Sequence, residues 1–537
     1  MRGLEMKIND YDVWYSYFKY FLNFNINLQQ VAMNMIELDL AELIIDSDET
    51  VYWKNTRGIV TTKQIPLVYQ ENGFSSYTLP EDMKRIQSEF LFQAYQMRHN
   101  EKTVFHSDFE DSLQFIRIFL GVCYLQDKEG KIAVYPQIKI YSNGIVLLFF
   151  RRINKNCDLT VDTFVQEGVN LPLKTFDSIW VYSGIALANQ LAFEQGGFYN
   201  YPFTKYLQKK RYEVIKQALS DEISNIRDNK KGFNFDVIQY EKEDSEIFTI
   251  DHLKDMIFIM VEYASNIHIE RPLKRKLKYV LHNYWRGTPF IYLLEFSNQS
   301  ETTDQFTEEQ KSNFQSILAR TEQKLKDTQP LIDYRLFNDY SVFVNEATIL
   351  WVLSKEGLYS NKSLADGNRG HLIYDKQIQS EMLFYILALH HKIYTISSLK
   401  SASTEDIIQQ KIFANKVYRD FESASPFGEI NDFLKASSKM GVDKLKKDTD
   451  LNLDLKKELK IEINTKKNNF FSWLISILFG IVGIPAFTTD FLIPLWQVTS
   501  IPMPKSDNLQ KVFSYLISLV IFSSILWIIY RKTYKEK

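Results

Sequence analysis

The side chains able to do chemistry are scattered along this chain rather than grouped. His390 and His391 are adjacent, so on a helix they point about 100° apart and make a poor pair for one metal ion. Packing or surface roles suit them better. Cys123 and Cys157 are the 2 cysteines and have no Cys-x-x-Cys spacing, so neither a disulfide framework nor a zinc site is expected. A reducing compartment fits. Phosphate-loop, zinc-protease and nucleophile-elbow patterns are all missing, which leaves no catalytic set to build on. Arg151 and Arg152 close an apolar run beside Asn154-Lys155-Asn156 and are candidates for meeting an anionic ligand. Exposure at a strand end is the plainer reading of that pair. The basic run "RPLKRKLKY" at 271–279 is open to the same two readings, an anion or lipid-headgroup contact and a solvated helix face.

A second kind of site could be built from residues that carry no charge. Ser472, Ser476, Gly480 and Gly483 follow at helical intervals, so they share one face of a helix. Small residues there either let helices pack closely or, around an axis of several copies, line a narrow wet path. Thr488, Thr489 and Asp490 come next and would form oxygen-bearing rings at the outer mouth of such a path.

These positions need elements to hold them. Residues 468–489 and 512–530 carry no charge, and about 20 apolar residues span a bilayer core. The expectation is a transmembrane hairpin at 468–537, with spans at about 468–489 and 512–530. Lys466 and Lys467 before it, and Arg531, Lys532, Lys535 and Lys537 after it, place both termini on the cytoplasmic side of the inner membrane. Trp473, Trp496, Trp527 and Tyr530 would sit at the interfaces. The N-terminus lacks the pattern of a cleaved signal peptide.

The preceding residues read as α+β. "LQFIRIFLGVCYLQ", "KIAVYPQIKIY" and "IVLLFFRRI" are β-branched and aromatic, and Asn143-Gly144 marks a tight hairpin, so an antiparallel meander is expected at about 113–152 within a domain at 1–235. "FEQGGFYNYPF" at 193–203 reads as a loop, and "RDNKKGFNFDVIQYEKEDSE" at 227–246 as a linker. Residues 236–467 have a mainly helical texture, with Thr307 and Thr404 as N-caps. The segment "DLNLDLKKELKIEIN" at 450–464 suits either a strand or a helix, and its continuity with the apolar run favours a helix. The formal net charge of −2 gives no reason to expect nucleic acid as a direct partner.

A large α+β region, long helices, two C-terminal apolar helices and the basic tail "YRKTYKEK" together resemble the CorA family of divalent-cation transporters. "FGIVGIPAFTTDFLIPLW" at 479–496 occupies the place of that family's first-span end and outer loop. The family's Gly-Met-Asn triplet has no counterpart here. The nearest positions are Gly483-Ile484-Pro485 and Phe487-Thr488-Thr489, so selectivity for Mg²⁺ is not implied. The resemblance implies a homo-oligomer, a pentamer in the family, and a non-enzymatic membrane protein. The chain is similar also to a divergent CorA-like group encoded beside type III CRISPR systems. That likeness implies a channel-type antiviral effector gated by a nucleotide second messenger made from ATP and S-adenosylmethionine, with membrane permeabilisation as its output. Two alternatives stay open: ordinary Mg²⁺ or other divalent-cation uptake, and a membrane-anchored scaffold without a pore.

Overall fold

A computed structural model describes residues 6–21, 26–66, 68–69, 75–76, 78–104, 113–182, 185, 237–241, 248–265, 287–321, 330–364, 370–399, 402–423, 429–499 and 506–534. The loop read at 193–203, the basic run at 271–279 and most of the linker read at 227–246 lie outside the described residues. The chain divides into two compact units, Met1–Thr449 and Asp450–Lys537.

The first unit is built on strand alternation. β1 (Lys7–Tyr20) puts Tyr11, Val13, Tyr15 and Tyr17 into the main apolar core, while Asp12, Trp14, Ser16 and Phe18 face the other way. The aromatic N-terminal stretch is therefore a strand buried on both faces, where bulky and β-branched residues fit well. In chain order the other elements are α1 (Leu28–Glu37), β2 (Leu43–Asp46), β3 (Thr50–Lys54), β4 (Val60–Gln64), α2 (Arg85–Val104), β5 (Phe115–Phe119), β6 (Cys123–Gln126), β7 (Lys131–Tyr141), β8 (Ile145–Asn154), β9 (Ser178–Tyr182), β10 (Val237–Glu241), α3 (Ile250–Ala264), β11 (Thr288–Phe296), α4 (Glu308–Ala319), β12 (Tyr340–Val344), β13 (Ile349–Leu353), α5 (Lys355–Leu364), α6 (Gly370–Ser398), α7 (Thr404–Ser423) and α8 (Glu429–Lys435).

Among the described residues these strands and the pair Leu159–Thr160 make one 14-stranded sheet, whose long path runs β12-β13-β11-β1-β8-β7-β5-β2-β3-β4. β5, β7 and β8 are antiparallel neighbours, and Asn143-Gly144 turns β7 into β8, as the expected meander requires. β6 pairs with β7 as well, and continues the sheet sideways through β9 and β10. Residues 250–464, helical in texture, supply three further strands. "FIYLLEF", "YSVFV" and "ILWVL" are short apolar runs buried on both faces, and such runs carry no period that separates strand from helix.

Helices cover both faces. α1, α3 and α4 contribute Val31, Leu253 and Phe314 to the main core on one side. α6 lies on the other side, where Phe384 meets Phe18 and Phe290 edge-on and Tyr385 meets Tyr141. Thr307 caps α4 with a full capping box, its hydroxyl accepting from Gln310 N–H and the Gln310 side chain accepting from Thr307 N–H. In α7 the cap is Ser403, one residue before the expected Thr404, because Ser403 and Asp406 exchange side-chain and backbone hydrogen bonds.

The second unit corrects the expected architecture. It contains α9 (Val442–Phe487, which begins in the first unit), α10 (Ile493–Val498) and α11 (Asp507–Tyr534). Among the described residues no helix is long and apolar enough to cross a membrane, so the CorA-like fold with a C-terminal transmembrane hairpin is withdrawn. Counting uncharged residues overstated the apolar runs. α9 is one helix whose first half carries alternating acids and lysines, and its second half holds Ser472, Ser476 and Pro485. α11 opens on Asp507, Gln510 and Lys511 and goes on through Ser514 and Ser518. Side chains at 478, 479, 481, 482, 525, 526 and 528–530, within the two expected spans, lie outside the described residues. The segment 450–464 is helical, as its continuity with the next run implied.

Candidate functional site

The sheet face beneath α6 carries buried charges among its aromatic rings, where an apolar layer would be ordinary. Strand alternation turns Arg117 of β5 and Lys139 of β7 to this side, while their neighbours Ile116, Ile118, Ile138 and Ile140 enter the main core. Two carboxylates arrive from the helices above, Glu101 from α2 and Glu381 from α6. Arg117 donates from Nε to Glu101 at 3.0 Å and from Nη1 and Nη2 to the two oxygens of Glu381 at 3.0 and 2.6 Å. Lys139 Nζ reaches Glu101 at 2.8 Å and Glu381 at 3.2 Å, and it sits 4.0 Å from the centre of the Phe115 ring. All four groups are closed to solvent, with exposures of 1% or less.

Two cations and two anions cancel in this space. Burial on its own would raise the Glu101 carboxyl, but Arg117, Lys139 and Arg98 together hold it down at about 2. Burial pulls the Lys139 ammonium below its ordinary range, against the two carboxylates. The Arg117 guanidinium is held above its ordinary range by Glu101 and Glu381, which outweigh its own burial. Closed to solvent among the described residues, the cluster is suited to fixing α2 and α6 in register on the sheet. A buried charge network that is fully paired specifies position more than it adds stability.

Arg151 belongs to the same face. Its Nε and Nη2 donate to Asp12 Oδ2 at 2.9 and 2.6 Å, its Nη1 donates to the Tyr374 hydroxyl at 3.1 Å, and its guanidinium lies 5.0 Å from the Trp14 ring. These bonds engage its donors within the protein. Arg152 points to the opposite face, where it donates to the Glu167 carbonyl and lies over Tyr11. The structure therefore does not bring the two arginines together on one ligand. His390 and His391 are both buried in α6, and burial together with Lys446 and Lys411 lowers His390 to about 4. Among the described residues no group of His, Cys, Asp and Glu is placed to hold a metal ion.

A cleft of about 690 Å³ opens elsewhere in the sheet unit, between α4, β12 and the segment at 330–335. Phe306 and Phe343, both nearly buried, back the cleft, and its polar side carries Lys311 and Arg335 together with the acids Asp304, Glu308 and Asp333, with Lys311 paired to Glu308 and Arg335 to Asp304 and Asp333. Arg335 Nε pairs with Asp333 at 3.2 Å, and burial pushes the Asp333 carboxyl up. The volume falls within the range of ordinary small-ligand sites.

In the second unit the small residues of α9 meet α11. A Cβ on Gly480 would lie 3.1 Å from the Phe522 ring and one on Gly483 would lie 3.8 Å from it, and Phe487 meets the same ring edge-on. Both glycines thus stand against the partner helix, and Ser472 and Ser476 lie in the exposed or part-exposed stretch before them, where Ser476 Oγ donates to the Ser472 carbonyl at 2.8 Å. Thr488 is buried and shares a 2.7 Å hydrogen bond with Ser518 of α11. Thr489 and Asp490 are exposed beside it. The expected loop after Pro485 is helical instead, since Thr488–Leu492 form a wide π turn that leads into α10. Thr488 and Thr489 donate back to the Ile484 and Pro485 carbonyls at 2.6 and 2.9 Å.

The four buried charges went unnoticed in the sequence. A signal for them existed: a lone cation inside each of "FIRIF" and "QIKIY", flanked by residues that face the core on the other side, marks an inward charge in a strand that is buried on both faces. Compared with family models, curated proteins and solved structures, the chain matches none.

Proposed function

We propose that the protein is an oligomeric, non-catalytic effector in which copies associate through the C-terminal unit and the assembly permeabilises a membrane. The observation that carries this reading is the apolar surface of that unit. Leu451, Leu455 and Leu459 are exposed by 60, 55 and 56% on α9, and Leu516, Val520 and Trp527 by 57, 63 and 60% on α11. Exposed apolar side chains in such number on both helices mark association with another protein or with lipid. The reading asks no single helix to cross the bilayer, because an assembled bundle can disturb it collectively.

In this proposal the signal that turns the assembly on is a nucleotide second messenger. Leak of an ion-sensitive dye from liposomes, measured with purified full-length protein with and without adenine nucleotides or divalent cations, tests the reading. Leak that rises with one of these ligands is expected. Protein that coats the liposomes and leaks under no condition would instead be a membrane-bound scaffold.

A further inference from the structure

Lys392 stands in the largely apolar stretch "LALHHKIYTI" of α6, with an exposure of 4%. A lysine closed from solvent ordinarily has a carboxylate beside it. Among the described residues no ion pair reaches Lys392, and its Nζ donates instead to the backbone carbonyl of Asn143, in the turn between β7 and β8. Burial pulls its ammonium down to about 8. At pH 7 about one such side chain in ten is then the uncharged amine, which is a nucleophile.

The side-chain amide of Asn143 is held as an electrophile. Its Oδ1 accepts from Ile145 N–H at 3.2 Å, a donor placed where negative charge develops when the amide carbon is attacked. Its Nδ2 donates to the Tyr385 hydroxyl at 2.6 Å, and burial raises that hydroxyl far enough to keep it neutral. An Asn-Gly pair ordinarily loses ammonia by attack of the glycine nitrogen on the asparagine side chain. Here Gly144 N–H is engaged by the Tyr141 carbonyl at 2.9 Å. The turn is also fixed from outside, because Phe21 N–H donates to the Gly144 carbonyl at 2.8 Å and Ile26 N–H to the Ser142 carbonyl at 3.0 Å. With the glycine nitrogen tied away, the Lys392 amine is the nucleophile beside this residue.

We propose that Lys392 and Asn143 join in an isopeptide bond that ties α6 to the turn between β7 and β8. Nζ of Lys392 adds to Cγ of Asn143, the Cγ–Nδ2 bond breaks and ammonia leaves. One amine proton passes to Nδ2 through the Tyr385 hydroxyl, which already touches that nitrogen. Amine and amide give amide and ammonia, so the step takes no oxidant, metal or nucleotide. The fold itself supplies the rate, because it holds amine, amide and hydroxyl together in a closed space. The bond links positions 249 residues apart and fixes α6 against sliding on the sheet.

Mass spectrometry of the full-length protein, incubated folded at pH 8 and then denatured, tests the bond. The expected chain is lighter than its sequence by one ammonia, and its tryptic digest contains the Asn143 peptide joined through Lys392, with no cleavage after Lys392. Lys392→Arg keeps the positive charge and should restore the full mass. Asn143→Asp should form the same join with loss of water in place of ammonia. Tyr385→Phe should slow the loss about a hundredfold, the lower end of what a positioned proton carrier contributes. Ammonia loss that persists in Lys392→Arg belongs to a cyclised Asn-Gly pair and overturns the proposal. Wild-type protein that keeps its full sequence mass throughout the incubation overturns it as well, and this second result needs no variant to fold.

Discussion

Glu42 lies just ahead of β2 with 3% exposure, and among the described residues its Oε2 has no hydrogen-bond partner. Burial is the main cause that raises its carboxyl to about 7, with Lys84 opposing and Asp39 adding to the rise. An unfolded glutamate titrates near about 4.3, so between that pH and about 7 the folded chain holds a proton that the unfolded chain has released. Stability from this group is then present at low pH and falls as pH rises through the window. Glu42→Gln removes the charge that burial disfavours, and is expected to stabilise by about 2 to 3 kcal/mol at pH 8 and by little at pH 4. Urea unfolding at both pH values checks it, and equal shifts at the two would refute the burial account. His390 gives the opposite slope, since its folded value of about 4 is depressed and stability is lost as pH falls from about 6.5 toward it. Neither behaviour was legible in the sequence, because a pKa depends on what surrounds a residue and not on its neighbours in the chain.

At the scale of elements, α6 is joined to the sheet by charge as well as by rings. Glu381→Leu leaves Arg117 and Lys139 with Glu101 as their remaining carboxylate in a closed space, and should cost about 3 to 5 kcal/mol. Replacing all four members together by apolar residues of similar size should cost far less, since no charge is then left unpaired. Chemical denaturation of both proteins decides between a register device and a simple stabiliser. A similar loss for the fourfold replacement would show that the pairs themselves hold the fold. In α5, Gly357 stands so close to the Asp339 carbonyl oxygen that any Cβ would overlap it, so Gly357→Ala should destabilise by about 1 to 3 kcal/mol. A lowered melting temperature in calorimetry is the expected readout. The meander around Asn143-Gly144 could be read in advance because alternation and turn chemistry agree there. β11, β12 and β13 could not, because strands covered on both faces lose the alternation that identifies them. Thr307 was readable as a cap from the acids that follow it in the first turn, whereas Ser403 and Thr404 compete and only the geometry chooses Ser403.

For the whole molecule, the sequence announced a C-terminal unit of distinct character and misled about its kind. Uncharged length stood in for apolar continuity, and the helices prove to carry serines, threonines and a proline through the stretches expected to be spans. What remains is a division of labour. The sheet unit, Met1–Thr449, closes its own cores around Ile118, Phe150 and Leu293 and around Trp53 and Phe119, whereas the unit Asp450–Lys537 leaves Leu451, Leu455, Leu459, Leu516 and Trp527 exposed. A chain ended after Thr449 is therefore expected to fold with the unfolding midpoint of the sheet unit, to sediment as a monomer and to release no dye from liposomes. The full-length chain under the same conditions should associate and leak. If the shortened chain keeps the full association, the assembling surface lies in the sheet unit. If it keeps the leak, the membrane output cannot belong to the C-terminal helices, because every exposed apolar residue on which that reading stands has been removed.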